Sequence, residues 1–329
     1  MIRKYYKDQV FTFEGCISVE ERGTLVSPWR LNHERLGFYP FLEEVGHQCS
    51  GVRLCFTTNS PEIYFRIASH EYDLKFDLWI DGKQASNYKL KQKETCFSYI
   101  DGLQTWKKVE LWMDQGQIIW VDSVEIAENA VIKKTEDHRT KWVHYGSSIS
   151  HSHQAISPSD IWTGIVAREK NWHLTNLGFS GNCKIEPMMG MLIGRLPADI
   201  ITLKLGINVS RGELTPRTFA PNVIGLIQII RESKPKTPIV LISPIYSPPR
   251  EEKGNIESNI NLKEMRRILE EIVTICVSYG DENIYYLDGL KLFGTEELRY
   301  LPDELHPNAE GQQVLAEHFI RELVINKPC

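Results

Sequence analysis

Early in the chain, apolar and polar positions alternate with a period of two. Ile63, Phe65 and Ile67 alternate in this way, and Tyr72, Leu74, Phe76 and Leu78 alternate with Asp73, Lys75, Asp77 and Trp79. A pleated strand sends successive side chains to opposite faces, so this pattern predicts one face on a core and one toward water. Asp81-Gly82 is the dipeptide of a tight type I′ hairpin turn. Val109, Leu111 and Met113 predict another strand, which Gln115-Gly116 turns into a partner over Gln117 to Val121. No long stretch here has helical period. Residues 1 to about 130 therefore read as an all-β sandwich.

Beyond Trp142 the period changes. Short apolar runs predict strands at 142–145, 173–177, 200–205, 238–243 and 284–287. Helical patterns lie between them. Ser159 is read as the cap of a helix carrying Ile161, Trp162, Ile165 and Val166 on one face. Further helices are expected over Pro187 to Leu196, Pro221 to Ser233 and Asn259 to Ser278, the last with Ile268, Ile272 and Ile275 inward. A final helix begins near Asn308, with Val314, Leu315 and Phe319 inward. Strands alternating with helices imply a parallel sheet covered on both faces. The polar run between Ile132 and Lys141 has no apolar anchor and is read as the boundary between domains 1–138 and 139–329. A solvated connection inside one compact unit would have the same composition.

Composition narrows the class. With 42% hydrophobic and 25% charged residues, the 329-residue chain reads as a globular protein able to bury a sizeable core. A net charge of -5 without a long basic block leaves no electrostatic footprint for nucleic acid or an anionic membrane. The N-terminal stretch lacks the apolar core of a secretion signal, and no run approaches the roughly 18 apolar residues of a membrane span. The seven cysteines show no Cys-x-x-Cys spacing, which argues against a disulfide framework or a cysteine zinc site. Cytoplasmic placement is expected, with most thiols acting as small apolar residues.

The candidate chemistry lies on one edge of the expected sheet. Ser148 follows the first parallel strand, Gly181 the second and Asn208 the third, while Asp303 and His306 follow the fifth. Open α/β sheets bind ligands beyond strand C-termini, and random polar residues would scatter between both edges. Each residue type suits a step of ester cleavage. A serine hydroxyl needs a base, and imidazole titrates in the useful range. Asp303, three residues before His306, is close enough to accept the other ring N–H and fix the tautomer. The backbone N–H groups of Ser148 and Gly181 and the amide of Asn208 are the expected oxyanion donors.

Four blocks carry a resemblance: Gly146-Ser147-Ser148-Ile149-Ser150, Gly178-Phe179-Ser180-Gly181-Asn182, Gly206-Ile207-Asn208 and Asp303-Glu304-Leu305-His306. In this order they resemble the blocks of the SGNH (GDSL-type) hydrolase family, over roughly residues 142 to 329. The resemblance implies a flavodoxin-like three-layer fold and a serine esterase or acyl transferase. It maps the nucleophile to Ser148, the oxyanion glycine and asparagine to Gly181 and Asn208, and the acid and base to Asp303 and His306. A sandwich ahead of this domain is similar to a subgroup of carbohydrate esterases and acyl-transferring relatives with an N-terminal jelly roll. Two positions depart: Ser147 stands where the family usually has aspartate, and Val209 where aspartate often follows the asparagine. The absence of Gly-x-Ser-x-Gly around Ser148 argues against the α/β-hydrolase family.

Other residues read more blandly. His151-Ser152-His153, near His144, is a weak metal pattern and is taken as active-site rim or solvated loop. Cys183 is taken as a buried thiol, and Trp29, Trp79, Trp106, Trp112 and Trp120 as packing rather than sugar platforms. The loop Pro244 to Arg250 is expected to wall the substrate pocket. The function expected is a serine esterase removing a short acyl group, acetyl first, from a sugar or other small alcohol, without metal or cofactor. An acyl transferase with the same residues, or an inert carbohydrate-binding protein, are the alternatives. The partner expected is an acyl ester, small-molecule or carbohydrate; oligomeric state is not encoded in any pattern here.

Overall fold

The computed structural model describes residues 1–210, 212–252 and 260–326. By contact pattern the chain divides into two units, Met1–Arg139 with Ile156–Gly164, and Thr140–Ala155 with Ile165–Cys329.

The first unit is built from β1 (Ile2–Lys4), β2 (Thr12–Glu14), β3 (Ser18–Arg22), β4 (Leu25–Trp29), β5 (Arg53–Thr58) and β6 (Glu62–Ile67). It continues with β7 (Leu74–Ile80), β8 (Lys83–Leu90), β9 (Cys96–Ile100), β10 (Lys107–Met113), β11 (Val121–Ile126) and β12 (Ile132–Lys133). One short α-helix, α1 (Glu43–His47), and 3-10 helices at Tyr6–Asp8 and His33–Phe38 interrupt them. Two antiparallel sheets result: β3-β4-β11-β6-β9 with β1 on β11, and β12-β5-β10-β7-β8 with β2 on β5. Their inner faces share one core, with Leu54, Phe76 and Leu111 from one sheet and Ile63, Phe65 and Val124 from the other. Stacking of Phe97 on Phe65 and Phe76, with ring centres 5.1 and 4.9 Å apart, joins the two faces.

Period two located the strands well, and Asp81-Gly82 forms a two-residue hairpin with both φ angles positive, 49° and 76°. Three details differ. Asp77 is buried, because Ser157 Oγ–H and Ser159 N–H donate to its Oδ2 at 2.6 and 2.8 Å. Tyr72 lies outside β7 and is exposed. Gln115-Gly116 does not close a hairpin over 117–121: β10 pairs with β5 and β7, whereas the next strand, β11, belongs to the other sheet. The turn therefore carries the chain across the sandwich.

The second unit has β13 (Thr140–Gly146), β14 (Trp172–Gly178), β15 (Ile200–Lys204), β16 (Ile239–Ile242) and β17 (Ile284–Leu287). All are parallel, in the order β14-β13-β15-β16-β17. This is the 2-1-3-4-5 order of flavodoxin-like folds, and it reverses beside β13. The helices are α2 (Ser148–His151), α3 (Trp162–Glu169, whose first three residues fall in the first unit), α4 (Pro187–Arg195), α5 (Pro216–Ser233), α6 (Leu262–Ser278), α7 (Gly289–Leu292) and α8 (Ala309–Asn326). α4, α5 and α6 pack in series and α7 lies against α8. Trp142 of β13 stacks on Phe319 of α8 with ring centres 5.6 Å apart.

Helix boundaries were the weakest expectation. Ser159 sits inside a single 3-10 turn, and α3 begins only after Ile161, whose backbone is extended. α5 starts at Pro216 rather than Pro221, which is accommodated inside the helix at the loss of one backbone hydrogen bond. Asn261 caps α6 by accepting Glu264 N–H at 2.8 Å; Asn259 lies outside the described residues. On α6, Ile275 is exposed and Cys276 takes the inward position, because the buried face centres on Met265, Leu269, Ile272 and Cys276, with Ile268 at its margin. On α8, Leu315 and Phe319 are buried while Val314 is only half-buried. Among the described residues no helix is long and apolar enough to cross a membrane.

Candidate active site

The site begins where β13 ends. Gly146 leads to Ser147, whose Oγ accepts the N–H of Ile149 at 3.3 Å and so caps α2. Ser148 is thus the first helical residue, with no intrahelical acceptor for its N–H. The turn runs into α2, a single turn ending at His151, and the chain then loops through residues 152–157. A side chain at Gly146 would collide with Ser150 Oγ, so only glycine lets α2 fold back this closely.

Beneath this turn lies a buried polar chain. Trp142 Nε1–H donates to Thr202 Oγ1 at 2.8 Å, and Thr202 Oγ1 lies 2.6 Å from His144 Nδ1. His144 Nε2 in turn lies 2.7 Å from Ser150 Oγ. Burial, with a smaller push from Lys204, lowers His144 to about 3, so the ring is neutral. Asn176 Nδ2–H donates to Ser150 O at 2.9 Å, tying β14 to α2. His144 is therefore held by side chains in the core and is not part of a metal pattern with His151 and His153.

The expected reactive residues meet. Ser148 Oγ lies 2.7 Å from His306 Nε2, and His306 Nδ1 lies 2.6 Å from Asp303 Oδ2. Asp303 Oδ1 also accepts the N–H groups of His306 and Leu305, at 2.7 and 3.1 Å. Burial opposes the Asp303 charge, but the hydrogen bonds from His306 and Leu305 outweigh it and hold the carboxyl below its usual range. An ionised carboxylate can only accept, so a ring proton sits on Nδ1, and in the neutral ring Nε2 is the nitrogen left to accept from Ser148 Oγ. Asn308, near which the last helix was expected to begin, caps α8, its Oδ1 accepting Gly311 N–H at 2.9 Å.

Ser148 and His306 line a cavity of about 440 Å³ together with Gly181 and Asn208. Gly181 has φ +72°, a backbone that favours glycine, and a Cβ there would meet only open space. Asn208 Oδ1 accepts Cys183 N–H at 3.0 Å, which fixes the oxygen end of the amide and leaves the NH₂ end to donate. Cys183 itself is buried. His153 reaches the cavity rim with its ring 4.1 Å from that of His151. Of the loop Pro244 to Arg250, Arg250 lines the cavity while Ile245 is buried.

Several lining residues carried no signal in the sequence. Gln154, Lys184, Glu213 and Arg250 are ordinary surface types until folding places them here. Lys184 Nζ–H donates to Asn208 O at 2.8 Å and pairs with Glu213 at 2.5 Å. Next to them, Tyr145 Oη–H donates to Glu186 Oε2 at 2.7 Å, an oxygen that also accepts Lys184 N–H at 3.2 Å. Ile185 N–H donates to Tyr145 Oη at 3.3 Å. Ile185 has φ +64°, a left-handed backbone costing an L-residue roughly 1–2 kcal/mol. Tyr145 directly precedes the Gly146 block, the one cue that pointed here.

Residues 139–324 match the GDSL-like lipase/acylhydrolase family. No curated protein matches the chain. Among solved structures, a salicylyl-acyltransferase, SsfX3, from a tetracycline biosynthetic pathway matches at 31% identity and TM-score 0.90, covering 98% of this chain and 97% of its own. A family two carbohydrate esterase from Clostridium thermocellum, in complex with cellohexaose, matches at 15% identity and TM-score 0.65, covering 84% and 92%. Another family two carbohydrate esterase, from Cellvibrio japonicus, matches at 10% identity and TM-score 0.68, covering 99% and 98%. At these last identities the likeness is one of fold, a sandwich preceding a parallel-sheet domain.

Proposed function

The chain belongs to the GDSL-like lipase/acylhydrolase family, and on that premise we propose that it is a serine esterase cleaving short acyl esters through an acyl-enzyme on Ser148. The observation that carries this is the unbroken line from Ser148 Oγ through His306 to Asp303, open at its serine end to the cavity. His306 Nε2 takes the hydroxyl proton as Ser148 Oγ bonds to the ester carbonyl carbon. Asp303 keeps the ring oriented and stabilises the imidazolium. The carbonyl oxygen, now negative, meets the N–H groups of Ser148 and Gly181 and the amide of Asn208; losing one such donor typically costs about 10²–10³ in turnover. Collapse expels the alcohol, which takes the proton from His306. Water then repeats the sequence on the acyl-enzyme and frees the acid.

Acetyl esters of a sugar or other small alcohol are the proposed substrates, supported by the shared architecture with carbohydrate esterases. The free thiols support cytoplasmic placement. Acyl transfer is the second reading, favoured by 31% identity to a salicylyl-acyltransferase across nearly the whole of both chains. It needs the same acyl-enzyme, with an alcohol acceptor entering in place of water. Turnover of p-nitrophenyl acetate by the wild type and Ser148→Ala tests the common step: the substitution abolishes it, and undiminished turnover would remove the proposal. Product analysis with added alcohols then separates hydrolysis from transfer.

A further inference from the structure

We infer that Tyr145 and Glu186 are positioning residues that clamp the loop after β14, which bears Gly181 and holds Asn208, onto the strand that leads to the nucleophile. The inference rests on the oxyanion reading of Gly181 and Asn208 given above. Tyr145 is fully buried in β13, three residues before Ser148, with its ring against Phe179 at 6.4 Å between centres. Its hydroxyl donates to Glu186 Oε2, accepts the N–H of Ile185 and lies in hydrogen-bonding reach of the Cys183 thiol. Glu186 Oε2 accepts the N–H of Lys184 as well. Two side-chain oxygens thus hold Lys184, Ile185 and Glu186, three consecutive residues.

The held segment is strained. Ile185 is β-branched, buried and left-handed, a combination that persists only where the surroundings over-determine it. Two residues earlier, Cys183 N–H fixes the Asn208 amide, and Lys184 Nζ–H fixes the Asn208 backbone carbonyl. Releasing the clamp lets Ile185 relax to an extended backbone. A rotation there displaces Cys183 and Lys184, and with them the orientation of the Asn208 amide. Neither Tyr145 nor Glu186 lines the cavity, so both act through Asn208 rather than on substrate.

The test is a set of double-mutant cycles on the full chain, with kcat and KM for p-nitrophenyl acetate and near-ultraviolet circular dichroism to verify folding. Tyr145→Phe and Glu186→Ala each lower kcat about 10- to 100-fold with KM changed by less than about 2-fold, because a transition-state donor is misplaced. Glu186→Gln keeps an acceptor oxygen and recovers most of that loss. In an Asn208→Ala background, Tyr145→Phe costs less than about 2-fold, since both substitutions remove the same interaction. An equal cost in both backgrounds overturns the clamp, as does full turnover by folded Tyr145→Phe. Wild-type turnover by Asn208→Ala overturns the oxyanion assignment itself. If Tyr145→Phe does not fold, the Glu186→Ala and Glu186→Gln pair completes the same cycle.

Discussion

Each unit contains a cluster of polar side chains, and the two clusters end differently. In the sandwich unit, Arg139 donates from Nε to Asp137 at 2.7 Å, from Nη1 to Glu110 at 3.2 Å and from Nη2 to Glu14. Arg53 Nη2–H also donates to Glu14, at 3.1 Å. Glu14, Cys55 and Glu110 lie close enough to suggest a cation site, but guanidinium groups already answer the carboxylates. Every strong charge in this cluster is met by another. In the parallel-sheet unit, the line from Asp303 to His306 to Ser148 is met at its carboxylate end and stops at a hydroxyl facing a cavity. A closed network stabilises one arrangement, whereas a network with an open end can pass a proton to something that enters.

The sharpest way to break this comparison is His306→Ala. It removes the proposed base and is expected to lower kcat/KM about 10⁴-fold or more while leaving thermal unfolding nearly unchanged. Turnover within tenfold of wild type would place the open-ended line outside the chemistry. The complementary change is Arg139→Ala in the closed network. It leaves Glu14 to Arg53 alone and Glu110 to Lys108 alone, so the loss falls at or below the roughly 3–5 kcal/mol of breaking a buried pair outright. Chemical denaturation reads this as a lower midpoint with unchanged slope. A shift below 1 kcal/mol, by the scale typical of exposed pairs (about 0–1 kcal/mol), would mean that the cluster is solvated.

The smallest effect concerns what the units share. Each buries a neutral histidine: His47, stacked on Trp29 at 3.7 Å and lowered by burial to about 4, and His144, lowered to about 3. An unfolded histidine takes a proton below about 6.5, and these two do not while folded. Their contribution is therefore complete above that pH and declines as pH falls toward 4 and 3. The slope approaches about 1.4 kcal/mol per pH unit for each histidine. His144→Gln removes one share, so stability measured from pH 6.5 to 4 falls less steeply. An unchanged slope would show that His144 titrates in the fold as it does in the unfolded chain.

The pattern of the chain was most informative where one local rule governs. Ile63, Phe65 and Ile67 alternate because β6 has one dry face, and Asp81-Gly82 forms its turn because both residues tolerate positive φ. Asp77 misled because its water-facing parity is overruled by Ser157 and Ser159, 80 and 82 residues away. Pro221 misled because a proline usually marks a helix start, yet Thr215 and Pro216 supply that start a turn and a half earlier. Tyr145 and Glu186 are 41 residues apart, and nothing local in either announces the bond between them.

Residue types, their order and their places at strand ends already determined the parallel-sheet class and put Ser148, Gly181 and Asn208 on one edge, because strand direction alone brings those ends together. Only the tertiary structure decided that Ser148 Oγ faces the nitrogen of His306 that Asp303 leaves free, and that Cys183 turns the Asn208 amide. Hydrogen-bond geometry is set over tenths of an ångström by contacts from segments far apart in the chain, and periodicity carries no information at that scale.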